Sequence, residues 1–310
     1  SIRANGFNYY EYPVGGTRVN LLELSAGDPG RVMEILQSPL DEFRMKGTYQ
    51  TLRLGIHYAY GYDISEYDPA AFMETNGKIG RNYSNMFGWY VEIMKKASLD
   101  KLCRPVHPEF YLGDFSTGPA AEESKFTSSL MRIDPLLEFW KPDHPRRERL
   151  AEATGIDPVD ARSWENFLEK ILVLAEQNGC IGIKQLQAYR RDLDFQVHDE
   201  SSVRFRGDLD KKEVKKFQDW VVHACCKLAH EKSWPHQVHV GTHNHPRSNP
   251  LPLDRIARNY PKQKMVMLHC WPYVEEAGFL AQSFPNVYID SCWQPMLNPE
   301  FLRLSLQKWL

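Results

Sequence analysis

Two short segments constrain this chain more than any other feature. Pro235-His236-Gln237-Val238-His239-Val240-Gly241-Thr242 and Met265-Val266-Met267-Leu268-His269-Cys270-Trp271 each read as a strand that ends on a histidine and opens into a loop. Strand side chains alternate with period two. Gln237 and His239 therefore share one face of the first strand, with Val238 and Val240 on the other. In the second, Val266 and Leu268 share one face, and Met267 and His269 the other. The distance from His239 to His269 is about one strand–helix–strand unit. Two successive parallel strands with a histidine at each C-terminal end describe the active-site rim of an α/β barrel.

The rest of the chain supports that architecture from about residue 99 onward. Strands are expected near 100, 131, 183, 238, 267 and 288. Between them lie helical patterns: a long one that Ser163 caps, one opened by Asp210 with Glu213, and others over 253–260, 275–284 and 299–310. Such alternation argues for a parallel sheet wrapped by helices. A distorted (β/α)8, or TIM-type, barrel needs eight strands, and six are visible. The sequence begins at Ser1 and stops at Leu310 in mid-pattern, so the expectation is that the first and last barrel strands lie outside it. Residues 1–98 form an N-terminal segment and helical insertion of the same domain, and 99–310 form the barrel body. Helices are expected there over Arg31–Leu36, Tyr49–Tyr60, from Asp68 onward, and over Asn82–Ala97, with turns at Gly15-Gly16 and Asp28-Pro29-Gly30.

Composition bounds the function classes. A net charge of −2 gives no field that would draw nucleic acid or a membrane surface. No apolar run near 18 residues and no signal peptide is visible, so a cytoplasmic protein is expected. The 6 cysteines lack metal-finger spacing and read as buried reduced thiols. The expected partner is a small-molecule substrate. Barrels of this kind often associate into homo-oligomers.

The chemistry lies in the face opposite the aliphatic one. Met131/Ile133, Ile181/Ile183, Val238/Val240, Val266/Leu268 and Val287/Ile289 alternate with Arg132, Asp134, Lys184, Gln237, His239, His269 and Asp290. An inward polar set is costly unless it is paired or metal-bound. His239 and His269 are candidates for metal ligation or proton transfer, against the alternative of hydrogen-bonded core histidines. Lys184 is a candidate N-carboxylated ligand or a buried base, against a salt bridge to Asp290 or Asp134. Arg132 can grip a substrate carboxylate, or else pair with Asp134. Arg190, beside Arg191, suits the same kind of substrate, and Trp271 and Trp293 follow strand ends where an aromatic lines a pocket or packs in the core. Asp290, His223, His230 and His57 read as structural, and His243-Asn244-His245 as a solvated loop.

Several of these stretches resemble one family. They are His239 in Gln-Val-His-Val-Gly, Leu-His269-Cys-Trp-Pro-Tyr with Glu276-Ala277-Gly278, and Pro285-Asn286-Val287-Tyr288-Ile289-Asp290. They resemble the amidohydrolase-related family of the amidohydrolase superfamily. Lys184 through Arg190, with Arg132-Ile133-Asp134, is similar to the branch found in glutamine-synthetase fusion proteins. The likeness runs from about 48 to 310. It implies a distorted (β/α)8 barrel with one or two divalent metal ions, usually zinc, at its C-terminal mouth. On that likeness His239 is the strand-five ligand, and His269 is a second ligand or proton shuttle. Lys184 falls where some members carry the strand-four lysine. The family's strand-one His-x-His and strand-eight Asp have no counterpart here, since residues 1–98 contain only His57.

Three functions follow. The first is a metal-dependent hydrolase of a small, carboxylate-bearing amide, lactone or related substrate. The second is a decarboxylase or uronate-isomerase-like enzyme on the same barrel. The third is a catalytically inactive barrel used as a binding module.

Overall fold

The structure, a computed structural model, describes residues 44–310 except 116 and 242–245, together with 9–11, 18–20, 28, 30, 31 and 34. The chain divides into two compact units, Ser1–Asp100 with Trp293–Leu302, and Lys101–Cys292 with Arg303–Leu310. The turn expected at Gly15-Gly16 and most of the helix expected over Arg31–Leu36 fall outside the described residues.

In the first unit β1 (Tyr9–Glu11) pairs antiparallel with β2 (Arg18–Asn20). Three helices follow, α1 (Gly47–Tyr60), α2 (Pro69–Ser84) and α3 (Met86–Lys96). Asp68 opens α2 by accepting from the amides of Ala70 and Ala71, with Pro69 at the first position. The single helix expected over 82–97 is broken. Asn85 leaves helical geometry (φ −121°, ψ 63°), and its side chain accepts from Gly88 N, so it caps a new helix. Tyr49, Ile56, Phe72 and Ile79 form the core of this unit. Gly47 meets the backbone of the 294–297 segment so closely that a Cβ would sit 2.2 Å from the Leu297 carbonyl oxygen. Only glycine fits there.

The second unit carries six parallel strands, hydrogen-bonded in chain order: β3 (Leu102–Val106), β4 (Thr127–Arg132), β5 (Cys180–Gln185), β6 (His236–Val240), β7 (Met265–His269) and β8 (Val287–Asp290). Helices α4 (Gly118–Ser124), α5 (Pro145–Thr154), α6 (Ala161–Gln177), α7 (Lys211–Glu231), α8 (Asp254–Asn259) and α9 (Val274–Ser283) link them. The chain then runs on through α10 (Gln294–Leu297) and α11 (Pro299–Trp309). All six strands stand where the sequence places them, the first shifted to begin at Leu102 and followed by α4 before β4. Among the described residues the sheet is open, with β3 and β8 at its edges. Asp160, not Ser163, caps α6: the two exchange side-chain and backbone bonds as a capping box, which places Ser163 inside the first turn. Asp210 and Glu213 do the same for α7, as expected.

One face of the sheet is packed under the helices. Met131, Ile183, Val238, Val240, Met265 and Met267 lie there in one buried core with Trp164 and Phe167 of α6 and Phe217 of α7. Burying a side chain of this size stabilises by roughly 1.5–3 kcal/mol, so this layer holds the sheet. Register puts Arg132 beside Lys184, Lys184 beside Gln237, His239 beside Leu268, and Leu268 beside Asp290. These residues share the opposite face. Two expectations need correction. Val266 and Leu268 lie on this second face, and Met267 lies in the core. Ile181 does not accompany Ile183: the register shifts between Ser129 and Met131, and Ile181 is 42% exposed.

Candidate active site at the C-terminal end of the sheet

His239 reaches the site by plain alternation along β6. His269 does not, because its register partner is Val240 on the helix-packed face. It arrives by a local turn: His269 and Cys270 both take left-handed backbone, with φ of 70° and 56°. Non-glycine residues hold such conformations at a cost, and such strain collects at functional sites. The turn brings His269 Nε2 to 3.1 Å from His239 Nδ1, with the ring centroids 4.6 Å apart. Both rings are buried. Gly241 makes the approach of the two strand ends possible. Its φ is +71°, and a Cβ there would lie 2.1 Å from the Trp271 carbonyl oxygen.

The far side of His269 is fixed. Its Nδ1 lies 2.9 Å from the Cys292 carbonyl oxygen and 3.1 Å from Cys292 Sγ. A carbonyl only accepts, so Nδ1 carries the proton and the Nε2 lone pair faces His239. Asp290 holds the Cys292 segment by accepting from its amide at 2.6 Å. Burial, aided by Asp290, pushes the Cys292 thiol up to about 12, so it stays protonated. Tyr189 covers His239, ring centroids 4.6 Å apart.

Lys184 is 2% exposed, and among the described residues its Nζ makes no hydrogen bond. The salt bridges weighed from the sequence do not form. Asp134 binds Arg132 instead, and Asp290 binds Cys292. Burial outweighs the nearby thiol and carboxylates, and lowers the lysine to about 7. A lone pair is thus available at neutral pH. A strongly shifted group at a strand end is a functional-site signal.

Beside it lies a cleft of about 560 Å³, lined by Arg132, Arg146, Arg190 and Arg191 with His107, Asp134 and Glu138 among others. Arg132 spends Nε and Nη2 on Asp134, Nε at 3.1 Å from Oδ1. Arg190 pairs with Glu138 at 2.7 Å but is 77% exposed, and Arg191 is tied to buried Asp219 at 2.7 Å. Tyr189 lines this cleft and packs at a tilt against His239, so it joins the two groups. Trp271 is half-buried beside Gly241.

The structure brings His239, His269 and Cys292 together, and sets Arg132, Arg190 and Lys184 on the same end of the sheet. His243 and His245 lie outside the described residues. Sequence reasoning missed His107, which directly follows β3 and sits between Arg132 and Arg146. The signal was the one used for His239, a histidine closing a strand. It was lost because the first strand was expected near residue 100, well short of this histidine. The expectation of buried thiols holds for Cys180, Cys225, Cys226 and Cys270, but Cys103 is exposed and Cys292 is half-buried.

Comparison with known proteins gives a consistent picture. The amidohydrolase family model matches residues 142–308. Protein fluG of Emericella nidulans is 29% identical over 153 residues, 41% of this chain. The chain spans only 18% of that relative's length. Among solved structures, uronate isomerase of Thermotoga maritima aligns with a TM-score of 0.69 at 16% identity, over 97% of this chain and 70% of its own. Glucuronate isomerase of Caulobacter crescentus aligns at 0.62 and 16%, over 91% and 65%. A protein of Lactobacillus casei, provisionally named a metal-dependent hydrolase, aligns at 0.59 and 18%, over 91% and 73%. At such identities the likeness is one of fold.

Proposed function

Because this chain belongs to the amidohydrolase family, we propose that it is a metal-dependent hydrolase. Its substrate in this reading is a small amide, lactone or related molecule bearing a carboxylate. The observation that carries it is the pair of buried imidazole nitrogens, His239 Nδ1 and His269 Nε2, 3.1 Å apart, on the same end of the sheet as a lysine that has no hydrogen-bond partner among the described residues.

The residues fit a cation in kind. Two ring nitrogens at that separation can share one ion at the usual zinc–nitrogen distance of about 2.0–2.1 Å, and the contact of Nδ1 with the Cys292 carbonyl turns the Nε2 lone pair of His269 toward His239. Among the described residues no third His, Cys, Asp or Glu joins them in a metal-holding group. His239 and His269 are therefore the residues that would hold the ion, zinc in our reading. A divalent cation supplies there a Lewis acid for the scissile carbonyl and acidifies water.

The chain's own groups do the rest. Neutral Lys184 Nζ either takes the proton of attacking water or completes the ion's donor set; the first is our reading. Arg132 and Arg190 anchor the substrate carboxylate from the cleft side. In this reading Trp271, half-buried just past the end of β7, offers an aromatic wall to the substrate.

Elemental analysis of the purified protein tests this, with a screen of amides and lactones for acid or ammonia release. About one or two equivalents of a divalent metal are expected, lost in His239→Asn while the metal-free protein melts within a few degrees of wild type. No metal after reconstitution, or metal indifferent to His239, overturns the reading. Aldose–ketose exchange of a uronate without acid release would transfer the same site to isomerisation.

A further inference from the structure

His107 stands between two cations in a way its own chemistry does not satisfy. Its Nδ1 lies 2.6 Å from Arg146 Nη1, and its Nε2 lies 3.3 Å from Arg132 Nη1. A guanidinium only donates, and a neutral imidazole has one lone pair. One of the two contacts is therefore donor against donor. Burial, with the two arginines, lowers the pKa of His107, so a second proton makes matters worse and the ring stays neutral.

The shorter contact identifies the accepting nitrogen. Arg146 is held through Nε by Glu109 at 3.2 Å, and its Nη1 donates to Nδ1 of His107. That places the ring proton on Nε2, facing Arg132. Arg132 in turn binds Asp134 through Nε and Nη2, which leaves Nη1. Among the described residues neither His107 Nε2 nor Arg132 Nη1 meets an oxygen acceptor, and both residues line the 560 Å³ cleft. Two neighbouring N–H donors, one of them on a cation, thus line the cleft without an oxygen acceptor among the described residues.

We infer that His107 Nε2–H and Arg132 Nη1–H form a two-donor fork for one carboxylate of the substrate, and that His107 is a specificity-determining residue selecting acid over amide. The inference rests on the reading that this cleft admits the substrate. Glu109 and Arg146 act behind it as positioning residues, because they fix which nitrogen of His107 carries the proton. A neutral carboxamide can present its oxygen to only part of the fork, and its NH2 would meet further donors. Sites built around buried polar groups reject such analogues strongly.

Calorimetric titration with benzoate and with benzamide tests this on the purified protein. Wild type should prefer benzoate by at least about tenfold, the size of one charge-assisted hydrogen bond. His107→Phe should bring the two ligands to within about twofold, chiefly by weakening benzoate. His107→Gln offers an amide oxygen to Arg146 and an N–H to the fork, and should restore most of the preference. Arg146→Met should fall between, since the ring proton is then free to change nitrogen. A preference unchanged in His107→Phe overturns the inference, as does an equal loss for both ligands. The His239→Asn protein separates this from the hydrolase reading. Benzoate preference retained there supports the fork whatever the fate of metal and turnover. Preference lost there yet kept in His107→Phe assigns carboxylate binding to the metal, and overturns it.

Discussion

The two groups at this end of the sheet are built on opposite principles. Around His239, His269 and Lys184 the side chains are buried: among the described residues Lys184 Nζ makes no hydrogen bond, and the two imidazoles meet each other. Around Arg132, Arg146, Arg190 and Arg191 every guanidinium already has a carboxylate. The first arrangement leaves lone pairs in a water-poor place, which suits proton transfer and a cation. The second keeps four cations in position while leaving single N–H groups for an anion. Burial decides the chemistry on one side, and surplus donors decide it on the other.

Lys184→Met should break the first side most severely. Loss of a base at this position lowers kcat by about 10²–10⁴-fold, read against a carboxylate-bearing substrate. Stability should move the other way. Burial takes the lysine from 10.5 to about 7, so between those values the unfolded chain holds a proton that the fold does not. Stability of the metal-free protein therefore rises with pH across that window, and the full cost, at most about 5 kcal/mol, applies below pH 7. Lys184→Met should raise the melting temperature below pH 7, with the gain fading toward pH 10. A loss of stability at pH 6 would mean that Nζ is paired after all.

Asp290→Ala should sharpen the same side more gently. It releases the Cys292 amide and with it the carbonyl that orients His269. Metal affinity should fall about 10–100-fold, measured by chelator competition, with the fold retained. Unchanged affinity would show that the Cys292 segment holds His269 without Asp290.

How much of this the sequence disclosed follows the same divide. Strand alternation and helix caps are local, so six strands, the helix-packed Met131, Ile183, Val238 and Val240, and His239 were legible, whereas β7 was assigned the wrong way round. His269 was assigned to the correct end but for the wrong reason. Alternation alone sends it to the helix-packed face, and a left-handed turn at His269 and Cys270, which no propensity signals, returns it. The bulge that exposes Ile181 is invisible for the same reason, since it depends on which residue of β4 lies opposite. Lys184 was recognisable as an inward lysine, but its want of a partner was not, because that depends on Arg132 and Cys292 claiming the two carboxylates first. His107 shows the limit from the other side. Its position at a strand end is local, yet its role exists only through two arginines far along the chain.

On the arginine side the effects should be smaller and should appear in KM. Arg132→Gln removes the charge and half of the fork, and should raise KM about 10–100-fold for a carboxylated substrate with little change in kcat. An equal fall in kcat would mean that Arg132 acts on the reacting centre.

Arg190→Ala should matter least, which makes it the finest probe of the contrast. Its pair with Glu138 lies in solvent, and exposed pairs contribute about 0–1 kcal/mol to stability. The melting temperature should hardly move. If Arg190 steers the anion into the cleft, the second-order rate for a charged substrate should fall a few-fold at low salt, and the wild-type advantage should vanish near 0.5 M salt, where screening shortens the reach of charge to about 4–5 Å. An advantage that survives high salt would mean direct contact with the bound substrate. Arg190 would then belong with Arg132 among the groups that grip, and the exposed rim of the cleft would be part of the binding site.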